Sequence, residues 1–344
     1  MRITHGLLLK NAKQWVMERQ AADRSLVCAY LSGSLADNDD AEDALIGGAG
    51  DVDVVCVHNS LNPPARELVR LTDRIHLDIW PVSQDAYEDP KQLRMNPWIG
   101  HDLFRKPPVL FDKNHWFDFV LAGAFSKYDQ PENVALRAMY FLNNARERLQ
   151  AIAFGEVSTA AWLSAYLQTL SDGANLLAVI ADGPLSTRRL LLAFPERAAE
   201  LEIPQWTGRL IEAFSRGVPE RDTLAQWIRQ WDEVIDCQTK TTGMPPDLDP
   251  LKIPYYRHAM ETFAPSAPMS ALWILLFTFG QRLANSKETS PPSVVEMLQS
   301  VGLGEETREE REESLEALID DAEEVLEEWA KNRGLPELVS LTNS

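Results

Sequence analysis

The sequence predicts an α/β N-terminal domain with a small mixed sheet, followed by an all-α helical bundle. Two observations predict it. Before residue 85, three short apolar runs have strand character, and two carry isolated acids: Asp51-Val52-Asp53-Val54-Val55 and His76-Leu77-Asp78-Ile79-Trp80. From about residue 125 the apolar residues change period and recur every three to four positions over long stretches, the spacing of one helix face. Helices interleaved with strands, then helices alone, separate the two classes.

In chain order, Leu7, Leu8, Ala12, Trp15 and Val16 fall near helical spacing and predict a first helix over 7–20. Residues 25–31 are a short buried strand, ended by Gly33-Ser34. Residues 37–50 are polar, then glycine-rich, and read as a loop with room for a short helix. Residues 51–57, rich in valine, form a second strand. Asn62-Pro63-Pro64 marks a turn, 65–74 is predicted as a helix, and 75–82 as a third strand. Val109-Leu110-Phe111 is a candidate fourth strand.

Beyond that point Val134, Ala138, Phe141, Ala145, Leu149 and Ile152 share one helix face. Trp162, Tyr166, Leu170, Ala174, Leu177 and Ala181 share another, stopped by Asp182-Gly183-Pro184. Helices over 187–201, 207–215, 221–237, 254–263 and 269–284 complete a bundle. Residues 285–292 read as a linker-like break. The tail then sets Leu315, Ile319, Ala322, Leu326 and Trp329 on one stripe, an amphipathic helix with a charged outer face. The expected division is a catalytic domain over 1–125, a bundle over 126–290 and an acidic helical segment over 291–344.

A chain of 344 residues with 45% hydrophobic content can build two or three cores and is not globally disordered. Cys28, Cys56 and Cys237 lie far apart without CxxC or Cys/His spacing, which argues against a structural zinc. Cys28 and Cys56 read as small buried hydrophobes, and a reduced, cytoplasmic compartment fits. No signal peptide is read, because the N-terminus runs straight into an amphipathic pattern. The longest strongly apolar stretch, 269–280, is shorter than the roughly 20 residues that cross a bilayer, so it is expected as a buried helix and no membrane partner is expected. Residues 305–328 hold 13 acids against two arginines, more than half of the net charge of -19. The rest is still acidic, which disfavours nucleic acid as a partner and suits a cationic substrate.

The acids inside the strands carry the chemistry. Alternation puts Asp51 and Asp53 on one face, where two carboxylates make a hard-oxygen cradle for Mg²⁺. Asp78 can bring a third. An acid in an apolar strand is costly unless it is paired or metal-bound. Two metals held this way clamp the attacking and leaving oxygens of an in-line displacement at phosphorus.

A hydrophobic-Gly33-Ser34 turn, then Asp51-x-Asp53 in a strand, then Asp78 in a later strand, resembles the DNA polymerase β-type nucleotidyltransferase superfamily over about residues 25–112. An α/β domain followed by a helical bundle looks like its aminoglycoside and minimal nucleotidyltransferase branches. The resemblance implies that Gly33 and Ser34 contact the triphosphate and that Asp51 and Asp53 bind metal. It implies that Asp78 contacts a metal and can act as base on the attacking hydroxyl. It further implies two Mg²⁺ ions, ATP or another nucleoside triphosphate as substrate, and a closing strand at Val109-Leu110-Phe111-Asp112. Three features depart from the family pattern. Ser34 and Asp51 are 17 positions apart, the intervening loop is acidic (Asp37, Asp39, Asp40, Glu42, Asp43), and Gly50 stands where Ser is common.

Around this core, His76 shares the Asp78 face and reads first as a hydrogen-bonded strand histidine. His5, His58, His101, His115 and His258 show no metal spacing. Arg188-Arg189, Lys127 and Arg137 are candidate cations for the triphosphate, each otherwise a surface charge. Trp98 and Trp162 are candidate stacking residues, otherwise core or rim. Glu147, beside Arg146 and Arg148, is a candidate base or part of a solvated face. The expected reaction transfers AMP from ATP to a hydroxyl, in a cleft between the two domains. The acceptor is a small aminoglycoside-like molecule or a protein hydroxyl; the rival readings are a non-catalytic nucleotide-binding protein and an interaction module organised by the acidic helix. A monomer or a homodimer is expected.

Overall fold

The computed structural model describes residues 3–37, 45, 48–155, 158–236, 246–285 and 291–335. They fall into two compact units, Met1–Asp129 and Gln130–Ser344.

The first unit contains α1 (His5–Ala22), β1 (Leu26–Ser32), α2 (Gly33–Asp37), β2 (Gly50–His58), β3 (Glu67–Arg70) and β4 (Ile75–Ser83). These are followed by α3 (Pro90–Met95), α4 (Ile99–Phe104), β5 (Val109–Asp112) and α5 (Trp116–Phe125). The sheet order is β3-β4-β2-β1-β5. β2 and β4 pair in parallel and every other pair is antiparallel, which gives the small mixed sheet that the sequence predicts.

Each face of the sheet has its own core. Thr4 caps α1, its hydroxyl accepting from the Leu7 amide at 3.3 Å. Leu8, Ala12 and Val16, four residues apart, lay one stripe of α1 onto Ala29, Leu31, Val52, Val54, Cys56, Leu77 and Ile79. Burial of each large aliphatic side chain stabilises the unit by about 1.5–3 kcal/mol. On the opposite face Cys28, Tyr30, Val55 and Val57 pack with Tyr87, with Leu93 of α3, Leu103 of α4 and Phe117 of α5. The Tyr30 and Tyr87 hydroxyls meet at 2.8 Å, and burial holds both phenols neutral by raising their pKa. Alternation along β2 extends this second face from Val57 and Val55 to Asp53 and Asp51. Cys28 and Cys56 are buried, as expected, and burial pushes the Cys56 thiol up to about 12. Cys237 lies outside the described residues.

The helix expected over 65–74 is instead strand β3, antiparallel to β4 with Leu68 opposite Asp78. The hairpin is closed by the Leu71 and Thr72 amides, which both donate to the Ile75 carbonyl at 2.9 Å. A four-residue edge strand paired on one side shows no alternation long enough to outweigh the helical look of this polar stretch. Val109–Asp112 is a strand, the fifth rather than the fourth. The acidic loop expected over 37–50 falls largely outside the described residues, including Asp39, Asp40, Glu42 and Asp43.

The second unit contains α6 (Pro131–Phe154), α7 (Thr159–Ala181), α8 (Leu190–Glu200), α9 (Trp206–Phe214) and α10 (Arg221–Asp236). After these come α11 (Ile253–Phe263), α12 (Pro268–Ala284), α13 (Pro292–Ser300) and α14 (Arg308–Lys331). α7 is buried on nearly all sides and packs against α6, α8, α12 and α14. The apolar stretch expected as a buried helix is α12. Among the described residues, no helix is long and apolar enough to cross a membrane. Of the linker-like break, 286–290 lie outside the described residues.

α14 docks by Leu315, Ile319, Ala322 and Leu326, all buried. Several of its acids pair with arginines of the bundle: Asp320 and Glu323 with Arg146, Asp321 with Arg209, and Glu310 with Arg216. Arg311 turns inward, 6% exposed, and donates to the carbonyls of Gly302, Glu212 and Ala213 at 2.6–2.9 Å. The acidic run is therefore partly neutralised by its own unit.

Candidate active site

β2 and β4 assemble the site. Their parallel register sets Asp53 opposite Asp78 and Asp51 opposite His76. One carboxylate oxygen each of Asp51, Asp53 and Asp78 lie within 4.8 Å of one another. Asp51 and Asp78 are buried and Asp53 is half-buried. Three like charges at this spacing repel, and taking them out of water adds to the cost, so the site calls for cations.

Among the described residues, Arg66 supplies a cation. Arg66, just before β3, donates from Nε to Oδ1 of Asp78 at 2.7 Å and from Nη2 to Oδ2 at 2.6 Å. Its guanidinium carbon also lies 3.5 Å from the centroid of the Trp80 ring, a cation–π contact. No residue pattern announces Arg66, because the β3–β4 hairpin, not sequence spacing, brings it to Asp78.

β1 completes the edge of the site. Ser32 stands opposite Asp53, and its hydroxyl donates to Oδ2 of Asp102 in α4 at 2.6 Å. The chain then turns at Gly33, whose φ of 66° lies in the left-handed region. A Cβ at Gly33 would overlap Oδ2 of Asp53, so the turn lies directly against that carboxylate. Ser34, half-buried, follows in α2. Gly50 has a packing reason of its own, since a Cβ there would overlap Cδ2 of the buried Leu45.

The donor set is all carboxylate, which suits Mg²⁺ or Mn²⁺ and not a metal that prefers imidazole or thiolate. Asp51, Asp53 and Asp78 are thus brought together as the sequence suggested, with Gly33 against them. The outlying candidates are placed less tellingly. Lys127 and Glu147 are exposed, and Trp98 is 44% exposed. Trp162, 1% exposed, packs in the bundle core against Tyr166, and Arg137 is buried in α6. Arg188 is buried with its guanidinium carbon 3.5 Å from the Tyr255 ring centroid, while Arg189 is half-buried at the start of α8. His115, which shows no metal spacing in sequence, lies close to Asp112 and Asp118 at the surface, where Asp112 accepts from the Phe117 amide and so caps α5.

No protein-family model and no curated protein matches the chain. Among solved structures it is similar to a nucleotidyltransferase-like protein from Exiguobacterium sibiricum 255-15, with 11% identity, over 90% of this chain and 89% of that one, at a TM-score of 0.30. A score this low decides nothing, and the fold rests on the strand order and register described above.

Proposed function

We propose that the chain is a divalent-metal-dependent nucleotidyltransferase that moves AMP from ATP to a hydroxyl of a small cationic, aminoglycoside-like acceptor and releases pyrophosphate. The observation that carries this reading is the Asp51–Asp53–Asp78 cluster on adjacent parallel strands, with the Gly33 turn packed against Asp53. Asp51 and Asp53 are the residues that would hold Mg²⁺. When bound, the ion supplies positive charge where negative charge builds on the transferring phosphoryl group and on the leaving pyrophosphate. The Gly33–Ser34 turn beside Asp53 would offer a phosphate backbone N–H groups and the Ser34 hydroxyl as donors. A base role for Asp78 requires Arg66 to release it. The acidity that remains outside residues 305–328 suits a cationic acceptor.

A second reading is a nucleotide-binding protein without turnover. It is favoured by the same Arg66 contact, which occupies both oxygens of Asp78.

The test is thermal stability with and without Mg²⁺-ATP, for the wild type and Asp53→Asn. A ligand at a hundredfold excess over its Kd stabilises by about 2.7 kcal/mol. The expected result is a rise in Tm that needs Mg²⁺ and is lost in Asp53→Asn. No shift with any nucleoside triphosphate rejects both readings.

A further inference from the structure

We propose that this site takes one divalent cation, not two, and that the Arg66 guanidinium permanently fills the place of the second. The inference rests on the metal-site reading above.

Asp78 has no exposed side-chain surface, and the Arg66 fork bonds each of its oxygens, at 2.7 and 2.6 Å. Arg66 is itself fixed, with a side chain only 12% exposed, one face of its guanidinium on Trp80, and β3 starting at the next residue. A guanidinium keeps its charge at any working pH. A divalent ion on Asp78 would need a carboxylate oxygen that the Arg66 fork already holds. It would then sit beside a fixed positive charge in a buried pocket.

Arg66 answers the charge of Asp78, and Asp51 and Asp53 are the pair left to hold a divalent ion. Asp78 is then a positioning residue: it holds Arg66, and Arg66 offers the second positive charge to an anionic ligand.

The test counts ions. Mn²⁺ is titrated into the full chain, with free ion followed by electron paramagnetic resonance and heat by calorimetry. Binding that survives in the Asp51→Asn/Asp53→Asn double variant is subtracted as surface binding. The wild type is expected to bind one ion. Asp78→Asn is expected to keep that ion within about threefold of wild-type affinity, because Asp78 is not a ligand. Arg66→Gln is expected to gain a second ion, and Arg66→Lys to remain at one. Two ions in the wild type, a tenfold or greater loss in Asp78→Asn, or a single ion in Arg66→Gln overturns the inference. No specific ion in the wild type removes the metal site itself, an outcome distinct from two. Should Arg66→Gln fail to fold, the wild-type count and Asp78→Asn decide the matter.

Discussion

Arg66 and Asp78 are joined by two hydrogen bonds, 2.7 and 2.6 Å, across a pair of strands that puts Asp78 completely out of solvent. Breaking a buried pair by removing one partner costs about 3–5 kcal/mol. Asp78→Ala and Arg66→Ala, each unfolded in urea with metal chelated, are expected to lose stability in that range. The double variant is expected to lose less than the sum of the two. Losses below about 1 kcal/mol would show that the pair forms too weakly to hold Asp78.

Gly33 is expected to tolerate no side chain. Its φ of 66° disfavours any other residue, and a Cβ would strike Oδ2 of Asp53. The conformational part alone costs about 1–2 kcal/mol. Gly33→Ala is expected to lower stability by at least that much and to weaken Mn²⁺ binding about tenfold or more, since relief comes by moving Asp53. Unchanged Mn²⁺ affinity would separate the turn from the metal site.

The contrast between these residues shows what a sequence carries. Asp51, Asp53 and Asp78 are legible because an acid in an apolar strand is a local anomaly with a fixed facing. Gly33 is legible as a turn residue, although its closeness to Asp53 comes from the pairing of β1 with β2. Arg66 is illegible, since one arginine in a polar stretch becomes a partner of Asp78 only once β3 pairs with β4. The six-residue helices α3 and α4 are too short to show a helical period, so this part of the cover of the second sheet face is not legible in the sequence. α6, α7 and α14 each repeat apolar residues at helical spacing over four turns or more, and α12 carries a long apolar run, so the bundle is readable from the sequence.

Asp172 in α7 should make the stability of the protein depend on pH. It pairs with Arg148, yet burial outweighs that attraction and raises its pKa to about 7. Between the ordinary carboxylate value and about 7 the folded state therefore binds more protons than the unfolded state, and stability falls as pH rises. The contribution is complete below about pH 4 and is lost as pH rises through 7, on the order of 2–4 kcal/mol. Asp172→Asn is expected to flatten this part of the profile in denaturation series from pH 4 to 8. An equal slope in the variant would assign the dependence elsewhere.

Arg311 ties the acidic helix α14 to the bundle through backbone carbonyls. Arg311→Met keeps most of the volume but removes the side-chain donor to the part-buried Glu212 carbonyl and one of the two side-chain donors to the Gly302 carbonyl, which keeps Thr307, at about 1–3 kcal/mol in all. The variant is expected to be cut by protease around residue 302 much faster than the wild type. By contrast Glu327→Gln, on the exposed face, is expected to leave the cutting rate unchanged. Equal rates for Arg311→Met and wild type would show that the apolar stripe alone holds α14.

The proposed reaction moves the α-phosphate of a nucleoside triphosphate, with its nucleoside, to the acceptor. The direct measurement follows label from ATP into a panel of aminoglycoside-like and protein acceptors, with Mg²⁺, using ATP labelled at the α- or at the γ-phosphate. The α-label is expected to reach the acceptor and the γ-label to leave as pyrophosphate, and Asp53→Asn is expected to stop both. Label passing from the γ-position to the acceptor, or no Mg²⁺-dependent transfer to any acceptor while ATP binds, would contradict it.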